Sequence, residues 1–246
     1  MNVVTHIYYT AENPIWQKIG GLASALVKDW ADLHGYDFRE HKIRVWPKVG
    51  ATWGKIKILL DSIRQNDASH HVFIDADIFI TNPEISLNDI LSGEPDALLY
   101  VGSDWVFPLN TGFMIATPES KKILDRLSKL RAACPYGYFE QGTLQVLREL
   151  CEKCERDIHP IHWDKVNTYP PNISENWAGT WTTQSFLCHF AGWKKNEIIE
   201  FLRPAFSLNP LDARELIFRR LQDTRSRIKL QKSFHEDQFN REGVES

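Results

Sequence analysis

The stretch His70-His71-Val72-Phe73-Ile74-Asp75-Ala76-Asp77-Ile78-Phe79-Ile80-Thr81-Asn82-Pro83 decides how the rest of the chain is read. Val72, Phe73 and Ile74 form a short apolar run, the pattern of a strand buried on both faces of a parallel sheet. Asp75 and Asp77 follow where that strand should end. Side chains alternate along an extended chain, so residues two apart point the same way. Both carboxylates are therefore expected to face one point at the carboxyl edge of the sheet, where open α/β folds bind ligands. Two carboxylates that close repel each other unless a cation sits between them. A hard divalent ion, Mg²⁺ or Mn²⁺, itself holding phosphate oxygens, suits that place. An acidic turn after a core strand is spelled the same way, so the pair needs the rest of the chain to decide it.

The 246 residues suffice for one large α/β domain with a sizeable core. Apolar residues make up 43% and charged residues 25%, ordinary for a globular protein, and a net charge of -3 gives no reason to expect nucleic acid as a partner. Four cysteines (Cys134, Cys151, Cys154, Cys188) are too few and too unevenly spaced for a disulfide framework. Cys151-x-x-Cys154 lacks a second Cys/His pair at zinc spacing, so reduced thiols are expected. Nine Trp are many for this length. Each offers a flat apolar face and an N–H, useful against sugars, although most Trp pack in cores. Met1 leads straight into a strand-like run without a secretory leader, and no stretch approaches the 18 apolar residues of a membrane span. A cytoplasmic protein is the expectation.

Alternating apolar runs and helical stripes predict a mostly parallel α/β sheet flanked by helices. Val3 to Tyr9 reads as the first strand, Pro14 to Leu33 as a helix, and Tyr36 to Arg39 as the second strand. Ile56, Leu59, Leu60 and Ile63 form one helical stripe ahead of the Asp75 strand. Ala97–Val101 and Phe113–Ala116 read as further strands, the latter opened by Asn110-Thr111-Gly112. Thr117-Pro118 reads as an N-cap and first-turn proline for a helix carrying Ile123, Leu124 and Leu127. Another helix is expected from Phe139 to about Cys154, then Ile158–Trp163 and the apolar-flanked Phe186–Phe190. Residues 1–208 are expected to carry the function. Residues 209–246 read as an amphipathic, charged helix with a disordered final dozen. Arg214 to Lys232 holds seven Lys/Arg and two acidic residues. A basic helix of this kind can lie on an anionic membrane surface, but a solvated helix face is the commoner outcome.

Several segments together resemble retaining glycosyltransferases of the GT-A fold, closest to the galactosyl-, mannosyl- and xylosyltransferase family of fungi and plants. Glycogenin-like transferases are more distant relatives. The resemblance runs from about Trp53 to Trp193. Its pieces are Trp53-x-Lys55, Asp75-Ala76-Asp77 with Asn82-Pro83, Asn110-Thr111-Gly112-Phe113, Glu140-Gln141, Val166-Asn167-Thr168-Tyr169-Pro170 and His189-Phe190-Ala191-Gly192. It implies a single GT-A domain, a Mn²⁺ or Mg²⁺ cofactor held by Asp75, Asp77 and His189, and a nucleotide-sugar donor, UDP-linked by preference. It also implies a glycan or lipid-linked acceptor.

In such enzymes the metal bridges the donor's two phosphates and neutralises charge as the diphosphate leaves. The first Asp, here Asp75, also touches the ribose. Gly192 would let backbone approach phosphate. Lys194 and Lys55 would add charge for the same anion, Lys55 from the start of a helix. The loop from Thr10 to Asn13 should meet the nucleobase and ribose. Asn110, Thr111 and Gly112 should approach the sugar or acceptor. Glu140 and Gln141 match the acidic-Gln pair that relatives place near the β-face of the donor sugar. A carboxylate there suits a covalent intermediate, and an amide suits shielding of an oxocarbenium-like ion. Gln141 is expected to orient or stabilise the sugar. Glu140 can serve instead as a first-turn carboxylate favoured by its helix dipole.

Two other classes compete. Haloacid-dehalogenase-like phosphatases place Asp-x-Asp after an apolar strand, but near the N-terminus and with a late acidic pair, where this chain offers His189 and Gly192. A nucleotide-sugar-binding module without activity would be expected to have a broken metal set.

Overall fold

The computed structural model describes residues 2–10, 12–43, 51–65, 67–104, 108–130, 139–172 and 179–242. Strand β1 (Val3–Thr10) leads into α1 (Pro14–His34), β2 (Asp37–Ile43) and α2 (Ala51–Gln65). β3 (His70–Asp75), β4 (Ile78–Ile80), the short α3 (Leu87–Leu91), β5 (Leu99–Gly102) and β6 (Asn110–Ala116) follow. α4 (Lys121–Leu130), α5 (Phe139–Glu149), α6 (Glu152–Asp157), β7 (Ile158–Ile161) and α7 (Trp163–Val166) come next. The chain closes with β8 (Leu187–His189), α8 (Lys195–Leu202) and α9 (Pro210–Glu242).

Six strands form one sheet in the order β2-β1-β3-β6-β5-β7. The β1–β2, β1–β3 and β5–β7 pairs are parallel, whereas β6 runs antiparallel to both of its neighbours. This is the mainly parallel, helix-flanked α/β sheet that the alternating pattern predicts. Alternation along the strands separates two cores. Ile7, Val72, Ile74, Phe113 and Ile115 pack with α1 residues such as Leu26 and Trp30 on one face. Tyr8, Phe73, Leu99 and Met114 pack with Leu59, Leu124 and Leu144 of α2, α4 and α5 on the other. Burying both faces is what makes these strands read as unbroken apolar runs.

The helix ends have local causes. Asn13 caps α1 through its side-chain oxygen, which accepts from the backbone N–H of Ile15 and Trp16 at 3.0 and 3.3 Å, with Pro14 just inside. Gly35 closes the helix at φ +67°, the left-handed region that suits glycine.

Four expectations need correction. The helix foreseen from Phe139 to Cys154 breaks after Glu149, because the Cys151 sulfur caps α6 by accepting the Cys154 N–H at 3.4 Å. The expectation of reduced thiols needs no such change: Cys151, Cys154 and Cys188 are free, and Cys134 lies outside the described residues. Thr117 occupies the cap position without capping. Its hydroxyl donates to the Leu98 carbonyl at 3.1 Å, and a 3₁₀ turn at Pro118–Ser120 precedes α4. α9 continues to Glu242, into the stretch expected to be disordered. The apolar side of its first half is not free to meet a membrane: Ala213, Ile217 and Leu221 are buried in the core, and Arg214 pairs with Asp29 at 2.5 Å. Peripheral membrane contact finds no support here. Among the described residues no helix is long and apolar enough to cross a membrane.

Candidate active site

The site sits where β3 ends. Asp75 is the last residue of β3, and its side chain points to the same face as Phe73, toward α2. Ala76 and Asp77 form a turn rather than a longer strand, and β4 leaves in a new direction. The two carboxylates therefore converge through a turn, not through strand alternation. β4 pairs antiparallel with β8 in a separate two-stranded ribbon, with Ile78 opposite His189. The other side of β8 is held by the Thr168 carbonyl, which accepts from His189 N at 2.7 Å. These two rows of hydrogen bonds bring His189 back to the Asp pair. Ligand atoms of Asp75, Asp77 and His189 all lie within 4.8 Å of one another, with His189 Nε2 3.5 Å from Asp77 Oδ1.

Gly112 makes room for that histidine. A Cβ there would lie 2.7 Å from His189 Cε1 and 2.9 Å from Asn110 Oδ1, closer than packed atoms tolerate. Because β6 runs against β3, the beginning of β6 lies beside the end of β3, with Phe113 opposite Ile74. Asn110, Thr111 and Gly112 thus share the edge with Asp75 as residues of the strand itself.

A buried charge cluster underlies the edge. Lys55, in the second turn of α2, is 4% exposed. Its Nζ lies 2.8 Å from Asp75 Oδ2 and 3.3 Å from Glu140 Oε1, and donates to the Thr111 carbonyl at 3.2 Å. The Thr111 hydroxyl donates to Glu140 Oε1 at 2.7 Å. Burial works against the ammonium, but Asp75 and then Glu140 outweigh it and push the Lys55 pKa up. Burial raises Glu140 in turn, yet Lys55, Thr52 and Thr111 hold it below the usual carboxylate range. Burial pushes Asp75 up, Lys55 draws it down, and the nearby Asp77 adds to the rise. For Asp77 burial is outweighed by His189, so its pKa is lowered. Three carboxylates face one ammonium here, leaving two negative charges uncompensated when His189 is neutral. That is the deficit a divalent cation removes, and a carboxylate–imidazole donor set suits Mn²⁺ better than Ca²⁺. The residues fit the cofactor.

Beside the cluster lies a cleft of about 270 Å³ lined by Tyr8, Trp16, Thr52, Lys55, Asp75, Ala76, Asp77 and Lys195. Tyr8, Trp16, Thr52 and Lys195 are not singled out by sequence reasoning. Trp16 looks there like any apolar residue in the first turn of a helix, yet Lys195 Nζ sits 5.2 Å from the centre of its ring. Lys194, exposed, has its backbone N–H on Glu197 Oε2 at 3.1 Å, at the start of α8. Gly192 occupies φ +79°, a conformation for which glycine is suited. Gln141 Oε1 accepts from Thr111 N at 3.4 Å, which places the amide at the β6 edge. Asn110 donates to Asp104 Oδ2 at 2.9 Å and accepts from Gly112 N at 2.9 Å. Thr10 is buried, its hydroxyl accepting from Glu12 N at 3.3 Å, and Trp53 packs in the α2-side core. Neither is among the residues that line the cleft.

Known structures share this architecture. A glycosyltransferase involved in the glycosylation of the major capsid of PBCV-1 superposes with a TM-score of 0.65 at 14% identity, covering 81% of this chain and 98% of that one. The fold is that of a GT-A glycosyltransferase. The glycosyltransferase GlyE of Streptococcus pneumoniae TIGR4 matches with a TM-score of 0.52 at 12% identity, over 96% of this chain and 64% of its own length. No protein-family model matches the sequence, and no curated protein is matched by it.

Proposed function

We propose that the protein is a metal-dependent retaining glycosyltransferase, of the kind found in the galactosyl-, mannosyl- and xylosyltransferase family. It transfers a hexose from a nucleotide-sugar, UDP-galactose or a similar UDP-linked donor, to a hydroxyl of a glycan or lipid-linked acceptor. The observation that carries this is the convergence of Asp75, Asp77 and His189 at the carboxyl edge of a GT-A sheet, within 4.8 Å of one another and backed by Lys55. A bound Mn²⁺ or Mg²⁺ supplies Lewis-acid stabilisation of the departing diphosphate.

The chain's own residues do the rest. Lys55 holds Asp75 in place and offsets part of the upward push that burial gives its carboxyl. Lys195 adds positive charge at the cleft mouth for the donor phosphates. Trp16 and Tyr8 offer ring faces to the nucleobase. In the transfer the bond from the anomeric carbon to the phosphate oxygen breaks, its electron pair leaving with the diphosphate. The acceptor oxygen bonds to that carbon from the same side, and its proton passes to the leaving phosphate. Glu140 is already engaged by an ammonium and a hydroxyl, and Gln141 offers an amide that cannot form a stable glycosyl ester. Both facts support shielding of an oxocarbenium-like ion by Gln141 and Asn110 over a covalent intermediate. The phosphatase alternative loses its basis with the GT-A fold.

The test is donor turnover with Mn²⁺ and a panel of nucleotide-sugars, followed as release of nucleoside diphosphate. Hydrolysis of one donor, abolished in Asp77→Ala and without metal, supports the function and names the sugar. Donor binding without turnover on any acceptor points to a binding module. Silence across the panel, with no donor bound in calorimetry, overturns the proposal.

A further inference from the structure

A histidine ligates through one ring nitrogen, and the partner of the other nitrogen decides which one is available. His189 Nδ1 lies 2.6 Å from Asn167 Oδ1, and both residues are buried. The orientation of the Asn167 amide is fixed from its far end. Its Nδ2 lies 2.8 Å from the Ser103 carbonyl oxygen and 2.9 Å from the Tyr169 hydroxyl oxygen. A carbonyl only accepts, and the Tyr169 hydroxyl directs its own proton to Asp104 Oδ2 at 2.7 Å. Both neighbours therefore require a donor at Nδ2. Oδ1 must face the imidazole, and Nδ1 must carry the proton. In neutral His189 the lone pair is then on Nε2, the nitrogen that faces Asp77.

We propose that Asn167 is a positioning residue of the metal centre: it locks His189 in the Nδ1–H form and aims the Nε2 lone pair at the cation. This rests on the metal-dependent function proposed above. Without the amide, His189 can take the other tautomer and donate Nε2–H to Asp77 Oδ1. A proton would then fill the place of the metal–nitrogen bond, and one ligand would satisfy the other. The same frame continues from Tyr169 through Asp104 to Asn110, whose oxygen receives Gly112 N. Alignment of His189 and of the sugar-side edge of β6 thus depends on one connected set of hydrogen bonds.

Two readouts test the role. In metal-free protein above pH 8, ¹⁵N-resolved histidine spectra of the wild type should show His189 with a protonated Nδ1 and a bare Nε2. A proton on Nε2 instead overturns the proposal, and this measurement needs no variant to fold. Mn²⁺ titrations followed by electron paramagnetic resonance, without donor, should show affinity falling ten- to a hundredfold in Asn167→Leu. Wild-type affinity in a folded Asn167→Leu overturns the role while leaving the metal centre standing. A wild type that binds no Mn²⁺ overturns the metal centre itself, and the role with it.

Discussion

Replacing Lys55 by Met tests the buried charge cluster directly. Methionine keeps most of the aliphatic stem in a position that is 4% exposed, and removes the ammonium. The ion pairs to Asp75 at 2.8 Å and Glu140 at 3.3 Å vanish, leaving Glu140, itself 3% exposed, without its cation. Losing one partner of a buried pair costs about 3–5 kcal/mol. The cost also has a ceiling, because the chain can protonate the stranded carboxyl instead. From an ordinary Glu value of 4.5, protonation at pH 7.5 costs about 4 kcal/mol, and at pH 5.5 about 1.4 kcal/mol. The sign follows from linkage. In the variant the folded-state pKa rises above the unfolded value, so the folded state binds the extra proton, and stability is regained as pH falls through that raised pKa. Urea unfolding of wild type and Lys55→Met should therefore differ by about 4 kcal/mol at pH 7.5 and by about 1.5 kcal/mol at pH 5.5. A deficit below 1 kcal/mol, or one equal at both pH values, would refute the assignment of Lys55 as counter-ion to two carboxylates.

Gly112→Ala should push His189 away from Asp77 and weaken Mn²⁺ at least tenfold, at a stability cost of about 1–3 kcal/mol; an alanine variant with wild-type affinity in a paramagnetic resonance titration would contradict the packing argument. His6, buried against His41 and Ser62, is pushed down to about 3 by burial and then by His41, His71 and Arg39. Its folded pKa lies below the unfolded value of 6.5, so the unfolded chain takes the proton first and stability is lost as pH falls below 6.5. Between pH 7.5 and 5.0 this removes about 2 kcal/mol, and His6→Gln should make the acid loss of stability smaller by that amount in chemical denaturation, the lowered His71 keeping its own share. Trp16→Ala should raise the donor KM about tenfold and change kcat little, as expected for a group that holds the nucleobase and not the reacting atoms. An unchanged KM would remove Trp16 from the donor site.

How much of this was legible depended on what kind of contact made each feature. The core strands announced themselves because both faces of each are buried, and Asp75 and Asp77 stood out as charges at the end of such a strand. The antiparallel course of β6 was invisible, since an apolar run carries no direction, and only that course puts Asn110 beside Asp75. The start of a separate strand at Ile78-Phe79-Ile80 carries no local signal, because the turn at Ala76-Asp77 contains neither Gly nor Pro. The break before α6 likewise lacks either residue and is made by a sulfur cap. Lys55 was legible as a lysine near an expected anion, but its role as counter-ion to Glu140 depends on packing of α2 against α5 and β6. Trp16 and Lys195 meet across the cleft from distant positions, and neither carries a local signal.

The β4–β8 ribbon joins segments about 110 positions apart, through backbone pairing of Ile78 with His189 and the Thr81 hydroxyl on the Ser185 carbonyl at 2.9 Å. Contacts that close so long a loop form late, because the chain entropy must be surrendered before the contact repays it. On the proposed function, cation affinity would therefore report completed folding: a nascent or truncated chain that stops short of residue 189 holds both aspartates without the histidine. The Asp75–Asp77–His189 cluster comes into being only once nearly the whole domain has closed around it.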